Sequence, residues 1–291
     1  MKKSIKKVGI TAHTRNALWG YGFIGIWLIG FFGFTLYPTV YSFIISLNDV
    51  RLTSSGMQFT WRAFYHYYYA LSVSGEFKMK ISEGLGFIIA ATVVVVVFSF
   101  IISLLLNKKF PMRTFFRVVF FLPVVIMSGP VIAKLLTGET VDFSKSGSIV
   151  YTFLGDLPEV LRNPTLFVLN NLTTILWFSG VQILIYLAGL QKISPDIYEA
   201  ASIDGAGAWE KFWKITLPYM RPMALLNAVY TVVEISNYSE LGINKLISNN
   251  MFNQTRIYSY SAAMSWLYFL IVAVLLILVF LVFKLFGKGD K

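Results

Sequence analysis

The residues able to do chemistry are few, and most of them sit together. Between two long apolar stretches lies the run Tyr198-Glu199-Ala200-Ala201-Ser202-Ile203-Asp204-Gly205-Ala206, continued by Trp209-Glu210-Lys211-Phe212-Trp213-Lys214-Ile215-Thr216-Leu217-Pro218. Nothing in a lipid environment requires such a segment, so it reads as a water-facing loop whose chemistry is contact. Glu199 and Asp204 can supply charge or caps, and the small Ala200 and Ala201 let another surface approach a helix backbone. Gly205 can reverse the chain at positive φ, which brings Ala206 back towards the helix end. A second set lies inside apolar segments. Glu234, near Asn237 and Tyr238, is an ionisable group at membrane depth, which marks a function or a paired charge. It fits a substrate route, a side chain reaching the outer interface, or a bond to a partner subunit. Trp177, Gln182 and Tyr186 offer the aromatic faces and amide group that suit sugar rings and hydroxyls. Their spacing fits helix packing equally well.

Hydrolytic and redox chemistry have no residues to carry them. With no cysteine, disulfides, thiol catalysis and cysteine-ligated metals are excluded. The histidines are His13 and His66, and no G-x-x-x-x-G-K-[ST], H-E-x-x-H or G-x-S-x-G string occurs. The chain is expected to hold no metal or cofactor and to hydrolyse no ATP itself.

The elements that position these residues follow from composition. Of 291 residues 56% are hydrophobic and 13% charged, which indicates a polytopic membrane protein of all-α class. The basic stretch Met1-Lys2-Lys3-Ser4-Ile5-Lys6-Lys7 resembles the start of a signal peptide. The charge-free run that follows, 16–48, is too long for one and lacks a small-residue cleavage pattern. The expected organisation is a segment 1–16 and a six-span domain 17–291. Its spans run at about 17–47, 84–106, 114–136, 165–190, 217–238 and 258–283, the first long and each of the others near the ~20 residues that cross a bilayer. The third is the least regular, and Arg117 and Lys134 are expected to snorkel to opposite interfaces.

Within the loop 191–216, Ser194-Pro195 predicts an N-cap and first helical residue, with Asp196 favoured by the helix dipole. Gly205 and Gly207 predict a stop. Trp209, Phe212 and Trp213 then form an aromatic stripe, and Pro218 and Pro222 mark return to the membrane. An amphipathic helix resting on headgroups is the plainer reading of this pattern.

Charge gives orientation. The two ends and the loops 107–117 and 191–221 hold 16 of the 25 Lys and Arg residues, which predicts that both termini and the Tyr198 loop are cytoplasmic. The formal charge of +11 is thus a topology signal, and nucleic acid is not an expected partner. On the opposite side, the aromatic run Trp61-Arg62-Ala63-Phe64-Tyr65-His66-Tyr67-Tyr68-Tyr69 fits an interfacial belt or, as the alternative, a docking surface for an extracellular partner.

A resemblance joins these readings. Tyr198-Glu199-Ala200-Ala201, Asp204-Gly205-Ala206 and the stretch from Trp209 to Arg221-Pro222 resemble the EAA loop of bacterial ABC importer permeases. Phe212-Trp213-Lys214-Ile215-Thr216-Leu217-Pro218 is similar to the carbohydrate-uptake branch, the relatives of the maltose and glycerol-phosphate permeases. So is the stretch from Lys109 through Arg113 and Arg117 to Leu122-Pro123. The resemblance implies six transmembrane helices of type I importer architecture in the bacterial cytoplasmic membrane. It also implies alternating access driven through Glu199, Ala200, Ala201, Asp204, Gly205 and Ala206. The implied partners are a second homologous permease subunit, two ATPase subunits holding ATP and Mg, an extracellular solute-binding protein and a carbohydrate. An importer of a non-sugar solute, a membrane receptor or scaffold, and a membrane enzyme are the other classes weighed.

Overall fold

A computed structural model describes residues 12–53, 56–108, 110–126, 154, 158–251 and 258–287. Two compact units divide the chain, one of residues 1–74 and 247–267, the other of 75–246 and 268–291.

In the first unit, α1 (Ala12–Gly30) and α2 (Tyr37–Ser46) are joined by a wide π-helical turn, Phe31–Leu36. A second such turn, Phe212–Thr216, occurs in the other unit. Both end just ahead of a proline, Pro38 and Pro218, placed as the second residue of the next helix. Proline lacks an N–H and its ring crowds the carbonyl four residues back. The turn instead closes five residues back, Tyr37 N–H on Phe32 O and Leu217 N–H on Phe212 O, and relieves that clash.

After α2 the chain forms an antiparallel hairpin, β1 (Asn48–Thr53) and β2 (Gly56–Trp61), with Asn48 opposite Trp61 and Gly56 at φ +113°. The stretch 49–83, read from the sequence as an external loop, therefore holds the one departure from helix among the described elements. It continues through α3 (Tyr65–Tyr68) and a π turn, Tyr69–Val73. The start of the C-terminal helix closes this unit: Val50 N–H donates to Ser259 Oγ at 2.9 Å, and Phe43 meets Trp266 edge to face at 5.2 Å.

The second unit is built on α4 (Gly75–Asn107), which starts nine residues before the expected span, and α7 (Leu172–Leu190). The buried face of α4 carries Gly84, Ala91, Thr92, Ser99 and Ser103. Such small side chains let two backbones approach where lipid supplies no hydrophobic drive. The Ser99 hydroxyl reaches Ser179 O at 3.4 Å. Phe87 shares a cavity wall with Thr174 near the start of α7, and Phe100 meets Tyr186 nearer its end, so α4 and α7 run parallel. The stretch expected as one span, 165–190, is instead two helices, α6 (Glu159–Asn170) and α7, broken at Asn171 with φ −110° and ψ 16°. α5 (Arg113–Ile126) packs on α7; the rest of the expected third span, with Lys134, lies outside the described residues. Arg117 is half-buried on α5, with its Nε and Nη2 covered.

The loop 191–216 holds α8 (Pro195–Ile203) and α9 (Ala208–Lys211), and α10 (Leu217–Ser236) returns along α4 and α7. α11 (Gly242–Met251) was not anticipated, and α12 (Ser259–Gly287) is the last long helix. Among the described residues four helical stretches are long and apolar enough to cross a membrane: Gly20–Leu47, Gly75–Asn107, Leu172–Leu190 and Ser259–Leu285. α10 has comparable length, but Arg221, Asn227 and Glu234 lower its hydropathy.

Candidate coupling site and transmembrane polar cluster

α8 is a helix with both ends closed by its own sequence. Ser194 is the N-cap, its Oγ accepting from Asp196 N–H at 3.4 Å, and Pro195 occupies the first position. At the other end Gly205 stands at φ +82°, Gly205 N–H reaches Ser202 O at 3.1 Å, and Ala206 N–H reaches Ala201 O at 2.9 Å. Those two bonds form the paired closure of a helix that ends on a left-handed glycine. The next helix begins with Glu210 accepting from Gly207 N–H at 3.3 Å and from Lys214 Nζ at 3.3 Å. The Lys214 bond, then the Gly207 bond, hold the Glu210 carboxyl below its ordinary range.

One side of α8 is fastened to the spans. The Tyr198 hydroxyl hydrogen-bonds Thr216 Oγ1 at 2.9 Å, and the Tyr198 ring packs on a core of Tyr186, Leu190, Ile193 and Met220. Beneath it α7 and α10 nearly touch: a Cβ built on Gly189 would lie 2.7 Å from Met223 Cγ and 2.9 Å from Met220 Cε. The other side is free. Glu199, Ala200, Asp204 and Gly205 are exposed, Ala201 and Ala206 half-buried, and Ile203 is 88% exposed. An isoleucine so open at a helix tip, beside a free carboxylate, has the make-up of a contact surface. Of the aromatic stripe, Phe212 turns in against Phe100 at 6.2 Å, whereas Trp209 and Trp213 stay exposed.

Between the middle of α7 and the C-terminal half of α10 lies a polar cluster. Gln182, fully buried, donates from Nε2 to Glu234 Oε2 at 2.9 Å and to Thr231 Oγ1 at 3.0 Å. Asn227 Nδ2 donates to Gln182 O at 3.2 Å, and Tyr186 lies beside Asn227. Among the described residues the buried carbonyl oxygens Gln182 Oε1 and Asn227 Oδ1 have no hydrogen-bond partner. Glu234 is the half-open member, so it is the group of this cluster a solute could meet first. Nearer the α7 N-terminus, Trp177 and Phe178 stack at 4.8 Å and both meet Tyr238 edge to face. Tyr238 also borders a cavity of about 460 Å³ with Phe87, Asn171, Thr174 and Glu240. Asn237 belongs to neither group: it is exposed, and its amide bonds Val233 O at 2.8 Å.

A family model described as "binding-protein-dependent transport system inner membrane component" matches residues 108–289, which include both sites. The chain belongs to this family. It is the membrane-embedded permease of an importer that works with a solute-binding protein. The permease is 26% identical over 285 residues to the probable ABC transporter permease protein YesP of Bacillus subtilis, covering 91% of this chain and 90% of that one. It is 27% identical to the multiple sugar-binding transport system permease protein MsmF of Streptococcus mutans, over 90% of this chain and 94% of the relative. A further relative is the arabinooligosaccharides transport system permease protein AraP of Halalkalibacterium halodurans, at 27% over 73% of this chain and 66% of that one. Among solved structures, a bacterial alginate ABC transporter in complex with an alginate pentasaccharide-bound periplasmic protein aligns with a TM-score of 0.69 at 18% identity. That alignment covers 94% of this chain and 96% of the other, so the fold is shared.

Sequence reasoning reached Gln182 and Glu234 separately and missed that they bond to each other, with Thr231 and Asn227 as further members. No local signal pairs residues 52 positions apart; a polar side chain on each of two apolar helices was the only hint. Thr216, which fastens Tyr198, was likewise read only as part of a motif.

Proposed function

We propose that this permease forms half of the translocation pathway of a carbohydrate importer, probed most directly at Glu234 and Gln182, and that α8 couples it to a cytoplasmic ATPase. The observation that carries the reading is mechanical. The exposed face of α8 is tied by Tyr198 and Thr216 to α10, and α10 bears Glu234 and Thr231 against Gln182 of α7. A push on Glu199, Ala200, Ala201, Asp204, Gly205 and Ala206 therefore moves the helix pair that holds the polar cluster. Two ATPase subunits carrying ATP and Mg would supply that push, and a second homologous permease subunit the other half of the path. An extracellular solute-binding protein would deliver the cargo. The push changes the direction in which the cavity opens only if the two arrangements differ in contact free energy. The sugar names of MsmF and AraP support the cargo class, and the excess of Lys and Arg supports cytoplasmic termini in a bacterial cytoplasmic membrane.

The test is reconstitution with the partner subunits and a sugar-loaded binding protein. Glu199→Lys should insert normally yet lose stimulated ATP hydrolysis and uptake together. Glu234→Gln, with normal expression, should alter sugar uptake while ATPase docking persists. Normal transport by Glu199→Lys removes the coupling role, and an unchanged rate and affinity in Glu234→Gln and Gln182→Ala removes both from the route. Failure to co-purify any ATPase would move the chain to the receptor class.

A further inference from the structure

α7 and α10 run antiparallel, and their contacts form one column: Phe178 on Tyr238, Gln182 on Glu234, Gly189 beside Met223. At the end of the column away from α8, Tyr238 and Thr174 border a cleft that Lys80, Glu83 and Glu240 also line. Glu234 stands one helical turn in from Tyr238 and on the same face of α10. Its carboxylate is therefore the next charged group along the column.

The charges along this column are not balanced. At the cleft, Lys80 Nζ is committed to Glu83 Oε2 at 2.8 Å and Lys245 Nζ to Glu240 Oε2 at 2.6 Å, so those four groups cancel. Glu234 has no such counter-charge. Its bond comes from the neutral Gln182 amide, and among the described residues no Lys or Arg pairs with it. Arg221, the cation of α10 itself, is about 20 Å away along the helix axis. The carboxylate accepts a hydrogen bond and is half-exposed, two conditions under which such a group keeps its charge.

A sugar hydroxyl can donate to this carboxylate, and a charge-assisted bond of that kind is strong. A uronate sugar brings a second negative charge instead. At a separation of about 6 Å and an effective dielectric of ~20, the repulsion amounts to about a hundredfold in affinity.

We infer that Glu234 is a charge filter, which makes the route between α7 and α10 favour uncharged saccharides over those bearing uronate groups. The inference rests on the route proposed above and adds which carbohydrate it passes.

The experiment titrates the assembled transporter in nanodiscs, without binding protein, with galactotriose and with trigalacturonate. The two differ in carrying a hydroxymethyl group or a carboxylate on each ring, and binding is read by saturation-transfer NMR. At equal concentration wild type should transfer magnetisation to galactotriose and none to the trigalacturonate, which binds at least about a hundredfold more weakly. Glu234→Gln should bring the two within tenfold by gaining affinity for trigalacturonate, and Glu234→Lys should reverse the order. Glu159→Gln, the same charge change on α6, should leave the preference as in wild type. If Glu234→Lys fails to assemble, the Gln variant decides. Equal transfer to both sugars by wild type, or a preference that Glu234→Gln leaves intact, overturns the filter while the route stands. A shift in Glu159→Gln as large as in Glu234→Gln also overturns it, because net charge would then be the cause. Transfer to neither sugar removes the route itself, and the filter falls with it.

Discussion

Gly205 is the position where backbone geometry alone should govern coupling. Its φ of +82° lies where side chains are strained, yet a Cβ built there meets nothing within 4 Å. A substitution is therefore penalised by conformation and not by collision inside this chain. Holding a non-glycine residue in the left-handed region costs roughly 1–2 kcal/mol, and a β-branched residue more. If the turn relaxes instead, the bonds Gly205 to Ser202 and Ala206 to Ala201 are lost, each worth about 1 kcal/mol. Either way the population of the closed α8 end falls by a factor of about 5–30. Asparagine tolerates this region far better than valine. We expect Gly205→Val to insert and assemble but lose most binding-protein-stimulated ATP hydrolysis, and Gly205→Asn to stay near wild type. Equal loss in both variants would mean that a partner surface, not the backbone, dictates glycine. Full activity of Gly205→Val would refute the reasoning outright.

Gly189→Ala should cost about 1–3 kcal/mol by overpacking α7 on α10, lowering the melting temperature, and Met223→Ala in the same chain should recover most of it. Tyr198→Phe removes the bond to Thr216 and should cost about 1 kcal/mol, seen as faster proteolysis within 195–211 while the spans stay protected. On the hairpin side, burial and then Arg62 lower the pKa of His66, with Asp49 and the Asn48 backbone opposing, and its buried Nε2 has no partner among the described residues. Because the folded value lies below the ordinary one, His66 stabilises this segment while neutral. That contribution is lost as pH falls through the lowered value. Acidification should therefore speed amide exchange around 62–69, and His66→Gln should flatten the pH dependence.

Several elements were legible because their causes are local. Ser194-Pro195-Asp196 starts a helix by capping and charge, and Gly205 ends it by its freedom at positive φ, with no help from distant residues. The long helices follow from apolar composition, since lipid leaves a backbone no other way to satisfy its hydrogen bonds. The break at Asn171, the hairpin at 48–61 and helix α11 were not legible. The 165–190 stretch carries no charge and so reads as one span, although the polar pair Asn170-Asn171 stands at the break, and the hairpin and α11 sit in polar connections where hydropathy carries no shape.

What the amino-acid order determined alone is thus the membrane class, the capped helix of the 191–216 loop, and the lack of a catalytic signature. Tertiary structure decided which face of that helix is free, through Tyr198 on Thr216, and which polar groups in the spans meet, through Gln182 on Glu234. The physical reason is range. Caps and hydropathy act over a few residues or a single helix, whereas a side-chain bond between spans depends on how closely two helices approach, and that is set by small residues such as Gly189.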